Sequence, residues 1–583
     1  IEEGAPYEGH WAFQPVERPA APEVEAKPLH TIDRFIAARL EEEGLTFSPE
    51  AAPETLIRRL HLDLTGLPPS PAEIDAFLED PPGRYEPTIE RLMQGPHFAE
   101  RLAQDWLDAA RFADTNGYSI DDHRDMWVWR DWVIEAFRSG MPYDRFIHEQ
   151  LAGDLLENPT ERQLIATGFL RNSMNTHEGG TIAEEYRVAY IADKIDTVST
   201  AFMGITMKCA QCHDHKYDPL SMRDYYRFFA FFNSSTEPGK GATNANTNPL
   251  LEVNPILQDE AGFRTSLQRR IEALEYLKAH PEELLGKTRA VAEAPAKAGS
   301  EVDKLVKSIE VEIKVLRKSL ETGKTSVMVM NEGAAQRKTH ILERGAYDQP
   351  GPVVEAGIPE LFGELPADQP ANRLALARWL TDPQHPLTAR VTVNRYWQLL
   401  FGTGLVKTTE DFGSQGEWPS HPELLDWLAA EFVVSGWDLR ALIKSMLLSR
   451  TYRQSSVTTA ALQERDPYNR LLARAPRFRL PAEAVRDNAL AVSGLLDREV
   501  GGPSVYPPQP RGLWKEVSHF GHPTVFTAQH FYPDRGPQVH RRSLYTFWKR
   551  TSPPPVMTTF DAPSRETCQV RRTLTNTPLQ ALV

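Results

Sequence analysis

Cysteine is scarce in this sequence, with three residues in 583. That excludes a disulfide framework for so long a chain and leaves burial of apolar surface to hold the fold. No apolar run approaches the roughly 20 residues that span a bilayer, so no transmembrane segment is expected. A basic stripe is also missing. The 65 Lys and Arg are outnumbered by 80 Asp and Glu, giving a formal charge of -15 with the signs well mixed. A nucleic-acid backbone is therefore not expected as a partner. There is no start methionine: the chain opens at Ile1 and stops within the apolar stretch Leu579-Gln580-Ala581-Leu582-Val583. Both ends read as processed or truncated, so they do not place the protein in the cell.

What is present is an ordinary globular composition, 41% hydrophobic and 25% charged, in a chain too long for one compact core. Residues 1–29 are rich in Pro and Glu without a clear period and read as an extended arm. Helical patterns dominate 30–240. Ile32, Phe35, Ile36 and Leu40 share one helical face. Ser70-Pro71-Ala72-Glu73 combines an N-cap, a first-turn proline and a glutamate three residues past the cap. Segments 86–112, 127–138, 143–156 and 184–203 read as further helices. Between 255 and 325 the composition turns to Glu, Lys, Leu and Ala. Leu267, Ile271 and Leu274, then Leu305, Ile309 and Ile313, recur there at spacings of three and four. A protruding antiparallel helical hairpin is the simplest reading, with 286–300 as its turn. Residues 326–370 form a connecting segment with a few short strands, and 371–583 a second helical domain, C-terminally incomplete. Its helices fall at 372–380, 389–400, 424–432 and 439–448, with His421 at a helix start, before a proline-rich irregular stretch from 501.

Two of the three cysteines lie together in Cys209-Ala210-Gln211-Cys212-His213. This is the attachment spacing for c-type haem: two thiols form thioethers with the vinyl groups, and the adjacent imidazole ligates the iron. Zinc held by Cys209, Cys212, His213 and His215 is an alternative, although adjacent ligands strain a tetrahedron. Two buried free cysteines and a thioredoxin-type dithiol are others. Cys568 falls outside the cofactor. For the sixth ligand the candidates are His123, His177, His215 and Met207. His215, Lys216, Tyr217 and Asp218 would supply a polar pocket beside the iron. In Asn175-Thr176-His177-Glu178-Gly179-Gly180, His177, Glu178 and, nearby, His215 are catalytic candidates offering acid–base chemistry; the plainer reading is a turn into a helix capped by Thr181 and Glu184. Arg187, close to Glu185 at that helix start, is the candidate propionate contact, against an ordinary intrahelical salt bridge. Downstream, Tyr225, Tyr226, Phe228, Phe229, Phe231 and Phe232 would wall the porphyrin from water or simply form core. The expected fold is mainly α: two helical domains around a c-type haem pocket, with the hairpin and proline-rich segments attached.

Longer strings carry a family resemblance. Leu62-Asp63-Leu64-Thr65-Gly66-Leu67-Pro68-Pro69, Gln150-Leu151-Ala152-Gly153-Asp154 and Cys209 through Pro219 resemble the planctomycete-type cytochrome-c-like domain of unknown function. Val393-Asn394-Arg395, Thr451-Tyr452-Arg453-Gln454-Ser455-Ser456, Lys549-Arg550-Thr551-Ser552-Pro553-Pro554-Pro555 and Thr575-Asn576-Thr577-Pro578-Leu579-Gln580 resemble its companion planctomycete-specific domain. The resemblance implies export to the periplasm or cell exterior, bacteria that degrade complex polysaccharides, and no established reaction. His519, His522 and His530 depart from the family pattern and read as a variable loop. The expected function is an exported protein with one covalent haem c that passes electrons to a redox partner such as another cytochrome. Alternatives are a haem-dependent oxidoreductase acting on carbohydrate and a non-redox scaffold with structural haem or zinc. The sequence leaves the oligomeric state open.

Overall fold

The computed structural model describes residues 9–25, 30–241, 246–285, 295–333, 336–517 and 530–583. Within them the chain is mainly α-helical, and its elements begin where local chemistry dictates. Ser70 Oγ accepts the Glu73 N–H at 3.3 Å while the Glu73 carboxylate accepts the Ser70 N–H at 2.9 Å, so Pro71–Glu79 opens on the expected reciprocal cap. The 86–112 stretch divides into Pro81–Gln94 and Pro96–Ala109. Pro96 has no N–H to continue the ladder, and Gly95 before it is extended. Trp127–Arg138 falls as read, and Tyr143–Ala152 tightens into a 3₁₀ turn at Gly153–Leu155. The expected 184–203 helix is Ala183–Val198 plus one π turn at Ser199–Met203. Its predicted cap does not form. Thr181 Oγ1 donates instead to the Glu178 carbonyl at 2.9 Å, and Ile182 stands at the N-cap without a side-chain bond.

In the second half, Arg373–Leu380, Thr388–Phe401, Pro422–Val434 and Leu439–Leu448 match the periodic segments. All of Thr388–Phe401 except Gln398 is buried. A helix buried on every face must lie inside the molecule, and this one joins the halves. The Arg395 guanidinium sits 5.3 Å from the Trp106 ring centre. Tyr143 meets Tyr396 at 6.5 Å and Phe432 at 6.0 Å. The halves therefore share one continuous core rather than each closing its own.

Between them, strand β1 (Leu250–Val253) pairs antiparallel with β2 (Thr325–Met328), and β3 (Thr339–Leu342) with β4 (Pro350–Val354). The helices Glu260–Ala279 and Pro295–Thr322 pack antiparallel around Ile271, Leu274, Leu305 and Ile309. Tyr532 enters that small core and Arg270 pairs with Asp534 at 2.9 Å, tying the two helices to the C-terminal region. Of their expected turn, 286–294 lie outside the described residues, and 295 onward already belongs to the second helix.

The proline-rich strings act as polar locks. Lys549 Nζ lies 3.2 Å from Asp121, and Thr551 Oγ1 donates to the same carboxylate at 2.7 Å. Between them, buried Arg550 donates to the carbonyls of Thr115, Asn116, Arg111, Asn172 and Arg565. Burial pulls its pKa down to about 10, so this charge rests on main-chain dipoles gathered from across the fold.

Candidate functional site

The Cys209–His213 turn is built by what surrounds it. The π turn ends at Gly204 in the left-handed conformation, where a Cβ would lie 2.9 Å from both Phe412 and Val391. The Gly204 carbonyl accepts the Phe412 N–H at 2.7 Å, so the chain is clamped to the second half immediately before the motif. Ile205 and Met207 are fully buried, and a 3₁₀ turn follows at Lys208–Gln211. The Cys212 N–H donates to the Cys209 carbonyl at 3.3 Å, the spacing that sets side chains three apart on one face. Ala210 points into the core with no exposure, while Cys209 and Cys212 on either side are exposed. Tyr226 Oη donates to the Gln211 carbonyl at 2.9 Å and holds the turn from beneath.

The two nearby histidines differ in what their ring nitrogens meet. His213 is exposed, and its Nδ1 lies 2.8 Å from the Asp214 carbonyl. A carbonyl only accepts, so Nδ1 carries the proton and Nε2 keeps its lone pair for a metal. His215 is arranged the opposite way. Its Nδ1 accepts the Asp218 N–H at 2.9 Å, which spends one lone pair on the loop and puts the neutral ring's proton on Nε2. His215 thus serves the loop. The Asp218 carboxylate also lies 3.4 Å from His215 Nδ1.

Cys209 and Cys212 are accessible, as thioether attachment of a haem c would require, and the Asp214 contact leaves His213 Nε2 open; among the described residues no three His, Cys, Asp or Glu side chains gather as a metal site. The fit on the Cys212 side depends on Gly345, where a Cβ would lie 2.9 Å from Cys212 Sγ. Gly345 has φ 75°, so its lack of a side chain serves both the turn and the thiol. The expected aromatic wall is core: Tyr225, Tyr226, Phe228, Phe229, Phe231 and Phe232 are all buried, and Tyr226 reaches the motif through its hydroxyl. Burial raises the Tyr226 pKa, with the neighbouring Cys212 adding to it.

The other candidates lie elsewhere. Met207 is wholly within the hydrophobic core. His123 Nε2 sits 3.0 Å from Asp125, and its ring stacks on Phe547. His177 is buried against Gly241, where a Cβ would lie 2.5 Å from its ring. Glu178 accepts from Ser119. His421 is buried at the helix start, its pKa pushed down to about 3 by burial. His519 and His522 lie outside the described residues. Arg187 pairs with Glu184 at 2.6 Å and donates to Asn233 at 2.6 Å. Arg187 thus makes the ordinary intrahelical salt bridge. Arg187→Leu should lower stability by about 1 kcal/mol, read by chemical denaturation, and leave the spectrum of bound haem unchanged; a shifted potential with unchanged stability would restore the propionate role.

Sequence reading missed how the following loop meets the second half. Buried Asp218 accepts the Ser414 N–H at 2.7 Å, and a Cβ at Gly413 would lie 2.6 Å from its carboxylate. Burial and the nearby Asp218 raise the pKa of Asp411. Beside this junction Trp418 is 66% exposed, with His10 and Trp11 packed against it at 6.0 and 6.3 Å. The residues Asp411-Phe412-Gly413 make this junction, and nothing in the sequence says that they dock on Asp218.

Fold and site define the class: a mainly helical protein whose two halves share one core and which presents a C-x-x-C-H turn at its surface. The PSCyt2 family model, a protein of unknown function (DUF1549), matches residues 31–237, and the PSD1 model, a protein of unknown function (DUF1553), matches 372–583. The chain therefore carries a match to each of these two domains, in this order. No curated protein and no solved structure matches it.

Proposed function

We propose that this protein carries one covalently attached haem c through Cys209 and Cys212, with His213 as the axial ligand, and exchanges electrons through it with a redox partner protein. The observation that carries the reading is the His213 tautomer: Nδ1–H is engaged by the Asp214 carbonyl, leaving Nε2 for iron, beside two accessible thiols. When bound, the haem supplies one-electron redox chemistry. The chain's own contribution is positional. Tyr226 and Ala210 hold the turn, and Gly345 leaves room at Cys212. Exposure of all three attachment side chains favours a haem edge open to a partner. Covalent haem attachment goes with export, so the reading places the protein in the periplasm or outside the cell.

A carbohydrate oxidoreductase is the second reading. It draws on exposed Trp418, packed beside His10, on which the charges of Asp218 and Asp411 act, since an aromatic face near carboxylates suits a sugar ring. One experiment separates the two. The haem protein is reduced, or left oxidised, and mixed with a small cytochrome or with a panel of oligosaccharides while the haem spectrum is followed. Electron exchange with the cytochrome alone is the expected result. Reduction of the oxidised haem coupled to a changed sugar mass would instead select the oxidoreductase.

A further inference from the structure

A cavity of about 550 Å³ opens in the second half, away from the haem turn, between the end of Thr388–Phe401 and the 467–479 loop. Four arginines line it, Arg470, Arg474, Arg477 and Arg479, and no acidic residue does. In a chain of formal charge -15 this is a local reversal of sign. Their donors are only partly used. Arg470 donates to the carbonyls of Gly404 and Leu405 at 2.8 and 2.7 Å, and its charge is offset only by the nearby carboxylates of Glu417 and Asp466 behind the lining. Arg474 is 7% exposed; its Nη2 donates to the Asp466 carbonyl at 2.9 Å, while its buried Nη1 has no hydrogen-bond partner. Arg479 pairs with Asp561 through Nη2, leaving Nε and Nη1 buried without partners. Arg477 is exposed at the mouth.

Buried guanidinium donors without acceptors are costly, and an oxyanion is the acceptor whose geometry matches a planar fork. The cavity also has an apolar side. Phe478 is 37% exposed and packs on Gly402, where a Cβ would lie 2.6 Å from its ring, and Tyr468 at the rim is 85% exposed. Rings at the edge of a cationic hollow suit a ligand with a flat face attached to its anionic group.

We infer that this cavity binds a phosphate or sulfate ester carried on a ring, with Arg474 and Arg477 gripping the oxyanion and Tyr468 or Phe478 covering the ring. The site is independent of the haem reading. The test is isothermal calorimetry on the full chain at constant ionic strength, with inorganic phosphate, inorganic sulfate, glucose 6-phosphate, glucose 6-sulfate and adenosine 5′-monophosphate as separate probes. At least one ester should saturate at one per chain and bind about tenfold or more tightly than its inorganic anion; which esters do so identifies the anion and the ring. Arg477→Ala, at an exposed position that folding does not need, should weaken that ester about tenfold or more, and Arg474→Gln likewise. Lys278→Ala, an exposed cation paired with Glu310 on the two-helix hairpin, should leave it unchanged. No saturable binding by any probe, equal affinity for ester and inorganic anion, or an Arg477→Ala protein of undiminished affinity would each overturn the proposal.

Discussion

Replacing both Cys209 and Cys212 with alanine is expected to abolish covalent haem completely. The wild-type chain, made in a host with c-type maturation, should keep its haem after denaturation and show an intact mass greater than the polypeptide by one haem. Either single replacement leaves one thiol on the turn and should hold haem by one thioether. His213→Ala should retain the mass but change the spectrum, because it removes the Nε2 lone pair that the Asp214 carbonyl leaves available. Gly345→Ala should lower the haem yield, since its Cβ would press on Cys212 Sγ. Cys568→Ala should change nothing: burial pushes that thiol up to about 12, so it stays protonated and unreactive. A wild-type mass equal to the bare chain, accompanied by stoichiometric zinc, would sink the haem reading.

The second large effect concerns the joint between the halves. Arg542 is buried between two carboxylates, 2.6 Å from Glu100 and 3.0 Å from Asp487, and donates to the Thr65 carbonyl at 2.8 Å. Glu100 also accepts from Tyr545 Oη at 2.5 Å and sits 2.6 Å from His97 Nδ1. Arg542→Met keeps the volume but strands two buried carboxylates. The expected loss is about 3–5 kcal/mol, measured as a lowered denaturation midpoint with an unchanged slope. A second readout fixes the cause. Burial alone would raise the Glu100 pKa, but Arg542, aided by the bonds from His97 and Tyr545, brings it down to about 2. A carboxylate with a lowered folded pKa stabilises the protein above its unfolded value near 4.5, and that contribution, about 3 kcal/mol, is lost as the pH falls from there towards 2. Wild-type stability should therefore drop steeply over this window, and the Arg542→Met protein should show a much shallower drop. Equal slopes would show that the acid sensitivity comes from other groups, such as Glu483, which Arg572 and Arg565 hold down in the same direction.

How far the sequence could be read depended on the range of the interactions involved. Ser70 and Glu73 are three residues apart, so their reciprocal cap is a property of the string itself. The Cys209 and Cys212 spacing is likewise local, and so is the periodicity of Leu439–Leu448. Thr181 shows the limit. Its hydroxyl suits a cap, yet it donates to the Glu178 carbonyl, three residues back, instead. Strand β1 was missed because four residues carry too little period to stand out, and it exists by pairing with β2, far along the chain. The split of the 86–112 segment, by contrast, was written in Gly95-Pro96.

The sequence by itself determined the helical class, the C-x-x-C-H donor set and the family strings, because each rests on residues within one or two turns of one another. The tertiary structure did not decide the histidine contacts, which lie one and three residues along the chain, at the Asp214 carbonyl and the Asp218 N–H. It alone placed Gly345 against Cys212 and Arg542 between Glu100 and Asp487. It also gathered Arg470 and Arg474 around one cavity together with Leu574. These pairings join positions tens to hundreds of residues apart, and one shared core, closed by long-range burial, is what brings them within reach.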